Sequence, residues 1–255
     1  MARFMDLFSF ALVFAISLIA ALIDVMVGGG GLIMVPGLGI LGFSLHAVIA
    51  TNRLFVVFFS LVGALNYWRR KISIDLKLVL VLLAARSLGS YFGANYVLVV
   101  PASSLKLFVA GFVVVALVAI VSLERFKNRT LGFMPKGRLR LALVATLFCV
   151  LGYYEGFVGG GGGTISRLLL TLLLGVTMLE AGLTDLIMSV ASSAVASAVF
   201  VSANQVDYAL LVPMVAGGTL GAFLGSHLAV SKGDRWLRPL LFTVVIVLLV
   251  KLAFF

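Results

Sequence analysis

The sequence predicts an all-α integral membrane protein with two homologous repeats, each of about four spanning helices plus one short Gly-broken or re-entrant helix. Three observations lead there. The composition is too apolar for a water-facing surface, apolar stretches of bilayer length follow one another along the chain, and a glycine run occurs twice.

Apolar residues make up 63% of the 255, where soluble domains hold roughly 45–50%. Charged residues make up 11%, against about 25% in soluble domains. Such a chain cannot cover itself with polar groups, so its outer surface must meet lipid. The net charge of +10 would suggest nucleic acid in a soluble protein. Here the bases sit mostly between apolar stretches, as cytoplasmic loops do under the positive-inside rule, so nucleic acid is excluded as a partner. Cys149 stands alone, which forbids an internal disulfide and gives no metal-site spacing. No cofactor or metal is expected.

Spanning a bilayer takes roughly 20 helical residues, and eight stretches qualify: 4–26, 45–67, 77–100, 104–123, 139–157, 177–202, 208–230 and 236–254. Arg3 before an apolar run looks like the start of a secretory signal. That run is long enough to span, however, and it has a counterpart in the second half, so it reads as a retained transmembrane helix. Two shorter segments, 32–43 and 164–175, follow the glycine runs and cover about half a span each. They bring the expected total to 8–10 membrane helices. The long polar connection from Glu124 to Arg140 carries Arg125, Lys127, Arg129, Lys136, Arg138 and Arg140. It divides the chain into a first membrane repeat (1–123), a basic cytoplasmic linker (124–138) and a second repeat (139–255).

The halves read as copies. Asp24-Val25-Met26-Val27 and Gly28–Gly31 reappear as Glu155-Gly156-Phe157-Val158 and Gly159–Gly162, with Gly163 added. Gly42-Phe43-Ser44 matches Gly175-Val176-Thr177, Ala50-Thr51-Asn52 matches Leu183-Thr184-Asp185, and Leu88-Gly89 with Gly93 matches Leu220-Gly221 with Gly225. The offset stays between 131 residues (Asp24 to Glu155) and 133 (Ala50 to Leu183).

Charge suggests how the copies are oriented. Arg69, Arg70 and Lys71 follow the second long helix of the first half, while the connection from Pro101 is neutral until Lys106. In the second half, Ser202-Ala203-Asn204-Gln205 carries no base, whereas Lys232, Arg235 and Arg238 mark the next connection. Equivalent loops therefore prefer opposite sides, as inverted-topology repeats require. The alternative is eight simple helices with parallel halves.

Each glycine costs a helix about 1 kcal/mol relative to alanine, so Gly28, Gly29, Gly30 and Gly31 should unwind their helix, as should Gly159, Gly160, Gly161, Gly162 and Gly163. Unwound backbone at membrane depth survives only inside protein or along a wet cavity. The helix N-termini it exposes form an anion site; the bland reading is close helix crossing. Arg53, Arg86 and Arg167 lie inside apolar segments, where charge is costly and signals function. Three buried guanidinium forks suit a small oxyanion. Internal salt bridges, such as Arg86 with Asp24 or Arg53 with Asp185, are the structural alternative. Asp24 and Glu155 immediately precede the runs and either couple transport to protons or tie down a loop. Thr51, Asn52, Thr184 and Asp185 offer hydrogen bonds to a substrate, or glue helices together. His46 and His227 are isolated, with no metal or catalytic pattern, and read as packing residues. Tyr67, Trp68, Tyr153, Tyr154 and Trp236 lie near helix ends, as interfacial aromatics do.

A glycine run closed by Val35-Pro36, then Gly42 and Ala50-Thr51-Asn52, the whole repeated after a basic loop, resembles the TauE/SafE sulfite exporter family over essentially the full chain. The resemblance implies a secondary transporter of small sulfur-containing or organic anions in a prokaryotic inner membrane. It implies that both glycine runs, Thr51-Asn52 and Thr184-Asp185 lie around the transport path. The chain departs from the family pattern at Arg167, where proline is expected, and at Asn52 and Asp185, where serine is common.

The expectation is an alternating-access carrier that binds its anion between the unwound segments and is not an enzyme. An anion channel, a carrier for an unrelated carboxylate and a cation carrier on Asp24, Glu155 and Asp185 are the rivals. An intramembrane enzyme lacks a recognisable nucleophile–base pair. Small residues on the helices permit a homodimer.

Overall fold

The computed structural model describes residues 6–101, 138–159 and 161–232, with scattered positions between 103 and 118 and Thr243. Among the described residues every regular element is a helix. These are α1 (Leu7–Val27), α2 (Gly31–Ile40), α3 (Leu45–Arg69), α4 (Leu76–Val99), α5 (Arg138–Val158), α6 (Gly162–Leu174), α7 (Met178–Ser202) and α8 (Tyr208–Lys232). The six long ones, α1, α3, α4, α5, α7 and α8, are long and apolar enough to cross a bilayer. The short α2 and α6 occupy the two post-glycine segments. Ser103 to Leu105 begin a further helical stretch. Most of the spans expected over 104–123 and 236–254, and the linker over 124–137, lie outside the described residues.

Helix starts follow ordinary capping chemistry. Asp6 accepts the Ser9 N–H at 3.3 Å ahead of α1, and Asp75 accepts those of Lys77 (3.0 Å) and Leu78 (3.3 Å) ahead of α4. α7 opens with a reciprocal capping box: Thr177 Oγ1 accepts the Glu180 N–H at 3.2 Å, and Glu180 Oε2 accepts that of Thr177 at 2.8 Å. The lipid-facing side is apolar and open: Leu88, Phe92 and Val99 of α4 are all exposed. That is the side chain set a bilayer stabilises and water would not.

Assembly runs across the two halves of the chain. α1 packs chiefly on α8, α4 on α5, and α3 on α7, with α4 also against α7 and α3 against α8. Exchanging the halves, α1 with α5 and α4 with α8, maps this set of pairings onto itself. Glycine makes the tightest of these contacts. A Cβ on Gly89 or Gly93 would overlap the backbone of Cys149 or Tyr153, and one on Gly152 or Gly156 would overlap that of Arg86 or Ser90. The α4–α5 crossing is therefore backbone against backbone. Gly217, Gly221 and Gly225 of α8 do the same against Phe14, Leu18 and Leu22 of α1. Small residues four apart let membrane helices approach this closely.

Two of the aromatic side chains read as interfacial are not. Tyr67 and Tyr154 are buried at 0% and 8% exposure. Tyr67 donates to the Val25 carbonyl at 2.9 Å, near the end of α1. A carbonyl freed at a helix end inside the protein needs such a donor, and this sets the tyrosine's position.

Candidate functional site

Both glycine runs break their helices in the same manner. α1 ends where Gly28 turns to φ +82° and its N–H closes on the Asp24 carbonyl at 2.7 Å. α5 ends where Gly159 turns to φ +80° and its N–H closes on the Glu155 carbonyl at 2.9 Å. Positive φ recurs at Gly29 and Gly161, conformations that L side chains avoid. The two breaks meet: a Cβ on Gly28 would overlap the backbone of Gly163 and Thr164, across the middle of the molecule. At the start of α2 one N–H is taken within the protein: Asp24 Oδ2 accepts that of Gly30 at 2.8 Å.

Six charged side chains surround the breaks, three arginines and three acids. Arg86 grips Glu155 with a two-pronged fork, Nε to Oε2 at 2.7 Å and Nη2 to Oε1 at 2.5 Å. Its remaining N–H groups reach Asp185 Oδ1 (2.8 Å), the Asp185 carbonyl (3.4 Å) and Ser189 Oγ (3.0 Å). A guanidinium has five N–H donors, and all those of Arg86 have acceptors within the protein. Arg167 bonds Asp185 Oδ2 at 3.2 Å and the α1 carbonyls of Val25 (3.0 Å) and Asp24 (2.8 Å). It holds the electronegative end of α1. The pairings differ from those weighed on the sequence: Arg86 joins Glu155 and Asp185 rather than Asp24, and Asp185 takes Arg167 rather than Arg53.

Arg53 is different. Its Nη2 donates to the Gly159 carbonyl at 3.2 Å, and the Asn52 amide donates to the same oxygen. No ion pair involves it among the described residues, and its buried Nε has no acceptor. Asp24 likewise has no ion pair among the described residues. Both line one cavity of about 20 Å³, roughly the room for a single water. Gly30, Gly31, Asn52, Gly159, Gly161, Gly162, Gly163 and Glu155 line it too.

The other sequence candidates lie elsewhere. Gly28 and Gly29 sit behind the cavity against Thr164. Thr51 Oγ1 accepts the Asp207 N–H at 2.9 Å, at the start of α8. Thr184 borders a second cavity of about 150 Å³ with Asp75 and Glu180. Arg86, Arg167 and Asp185 form the ion network beside the cavity. Gly160 lies outside the described residues. Sequence reasoning missed Ser189 and Ser193 of α7 and Phe55 and Phe59 of α3, which also line the cavity. The signal was available in part: two serines four apart in an apolar span face one way. Ser193 Oγ is buried without a partner among the described residues. No group of His, Cys, Asp and Glu among the described residues is arranged to hold a metal ion.

A family model described as sulfite exporter TauE/SafE matches residues 13–252. The chain is 29% identical over 246 residues to a protein of Haemophilus influenzae named "Probable membrane transporter protein", covering 96% of this chain and 94% of that one. It is 30% identical over 244 residues to "Probable membrane transporter protein YfcA" of Escherichia coli, with 94% and 88% covered. A "Probable membrane transporter protein ORF9" of Sinorhizobium is also 30% identical over 244 residues, with 95% and 91% covered. No solved structure gives a significant match. The helical spans, with bacterial relatives named as membrane transporters, fit the inner membrane, since outer-membrane spans are β-barrels. With buried charge gathered around two broken helices, and with a match over nearly its whole length, the chain belongs to the TauE/SafE sulfite exporter family of membrane transporters.

Proposed function

We propose that this transporter carries a small sulfur-containing or organic anion, of the sulfite, thiosulfate or sulfonate type, by alternating access between two inverted repeats. The anion binds in the cavity between the glycine breaks. The observation that carries the reading is Arg53: a guanidinium 4% exposed, lining that cavity, with no carboxylate partner and no acceptor for its Nε–H among the described residues. A buried cation in this condition is costly unless something negative joins it. The Ser193 hydroxyl in the same cavity is a second donor without a partner among the described residues. Arg86 and Arg167 serve the site indirectly, by keeping Glu155 and Asp185 neutralised so that those acids do not repel the anion.

The small volume of the cavity suits a closed state between two open ones. An anion channel would use the same Arg53 without closing around the ion, and a carboxylate carrier would prefer a different anion. The test is uptake into proteoliposomes of labelled sulfite, thiosulfate, sulfoacetate, sulfate and a carboxylate, for the wild type and Arg53→Ala. Saturable uptake of a sulfur anion with exchange of internal for external anion, lost in Arg53→Ala, is expected. Conductance far above carrier turnover supports the channel. Full activity in Arg53→Ala removes Arg53 from the site.

A further inference from the structure

We propose that Asp24 carries a proton through the membrane together with the anion held by Arg53. This rests on the anion-carrier reading above and adds the second substrate to it.

Of the three buried acids, Glu155 is held by the Arg86 fork and Asp185 lies between Arg86 and Arg167. Asp24 has no ion pair among the described residues, and neither has Arg53. The acid and the guanidinium without ion pairs line the same cavity, and Arg53 lies in the field of Asp24 as well as of Glu155. Asp24 is also the member of the six that keeps accessible surface, being half-buried while the others are 4% exposed or less. Its Oδ2 accepts the Gly30 N–H, and Oδ1 lies beside Gly163, which leaves that oxygen for a proton.

The charged and titratable groups around Asp24 come from every element packed near it. Arg167 of α6 bonds its backbone carbonyl, and Asp185 of α7 approaches across Gly163. Glu155 of α5 and Arg53 of α3 line the cavity, and Tyr67 of α3 bonds the adjacent Val25 carbonyl. The helix α2 contributes no titratable side chain. With the cavity holding no anion, the Asp24 carboxylate shares with Glu155 the part of counter-charge to Arg53. An anion on Arg53 takes over that function and brings a second negative charge beside Asp24, which favours its protonated form. The proton arrives from water at Oδ1 on one side and returns to water on the other. Its departure restores the carboxylate, which competes for Arg53 and releases the anion. A 1:1 coupling follows.

The test uses the full chain in proteoliposomes with labelled thiosulfate and an entrapped pH dye. Entry of the thiosulfate dianion with one proton carries a net negative charge, so with the membrane potential clamped at zero by potassium and valinomycin a gradient of one pH unit, acid outside, should concentrate thiosulfate about tenfold inside, and thiosulfate entry should acidify the lumen. Asp24→Asn retains an oxygen to accept the Gly30 N–H and loses the titratable group. It should bring the accumulation ratio to about one, and any remaining exchange should lose its dependence on pH. Asp24→Glu should keep accumulation. Undiminished accumulation in Asp24→Asn overturns the proposal. So does wild-type thiosulfate uptake without proton movement, a result that needs no variant and leaves the anion carrier standing. No thiosulfate, sulfite or sulfoacetate uptake under any gradient sinks the carrier reading itself, and the proton with it.

Discussion

Arg86 and Glu155 are joined fork to fork, 2.7 and 2.5 Å apart, although they come from opposite halves of the chain and are 69 residues apart. The pair ties α4 to α5 beside the glycine breaks, and through Asp185 it extends to α7. Removing one partner leaves a buried charge uncompensated, and that sets the first expectation.

Arg86→Ala should cost roughly 3–5 kcal/mol of stability, the usual result of orphaning a buried carboxylate. Thermal unfolding in detergent, followed by size-exclusion chromatography, reads this directly. A variant as stable as the wild type but unable to bind anion would return Arg86 to the substrate.

Arg53→Lys keeps the charge and gives up the fork. One charge-assisted hydrogen bond is worth about 1.5–3 kcal/mol, so the half-saturating anion concentration should rise roughly 10- to 150-fold. Unfolding temperature should move little, because Arg53 makes one protein hydrogen bond at Nη2 and no ion pair among the described residues. An unchanged half-saturation would take anion binding away from this side chain.

Gly28 and Gly42 separate two costs of adding a methyl group. Both have positive φ, +82° and +85°, but a Cβ on Gly28 meets backbone while one on Gly42 meets nothing within 4 Å. Gly42→Ala should cost about 1–2 kcal/mol, the left-handed strain alone. Gly28→Ala should cost more and abolish uptake, since the two breaks can no longer touch. Equal stabilities measured side by side would mean that the contact between the breaks is not needed.

Gly89→Val should separate α4 from α5. Its side chain has no room beside the Cys149 carbonyl, and overpacking of this kind typically costs 1–3 kcal/mol or more. A lowered yield of folded protein is the expected reading, and a normal yield with normal melting would refute backbone contact there.

Much of this was legible in the sequence because it depends on local rules. Hydropathy located α3 from residue 45 and α7 from residue 178 almost to the residue, since a lipid-facing helix needs a fixed length of apolar chain. Glycine runs announced the breaks because backbone strain is local. The arginines were visible as well, but their partners were not. Which acid Arg86 meets depends on how α4, α5 and α7 are rotated about their axes, which hydropathy does not fix. The spacing of Gly89 and Gly93 served on the sequence only as a sign of duplication. Its physical meaning, a seam between two backbones, appears once Gly152 and Gly156 are seen on the other side.

That seam decides which parts can move. Two helices in backbone contact along several turns cannot slide past one another without meeting side chains, so α4 and α5 travel as a single rod. The glycines of α8 fasten α1 in the same way. Each rod is interlaced, with one helix drawn from either half of the chain. In the alternating access proposed above, each mixed pair would move whole, with its α1–α8 or α4–α5 seam kept.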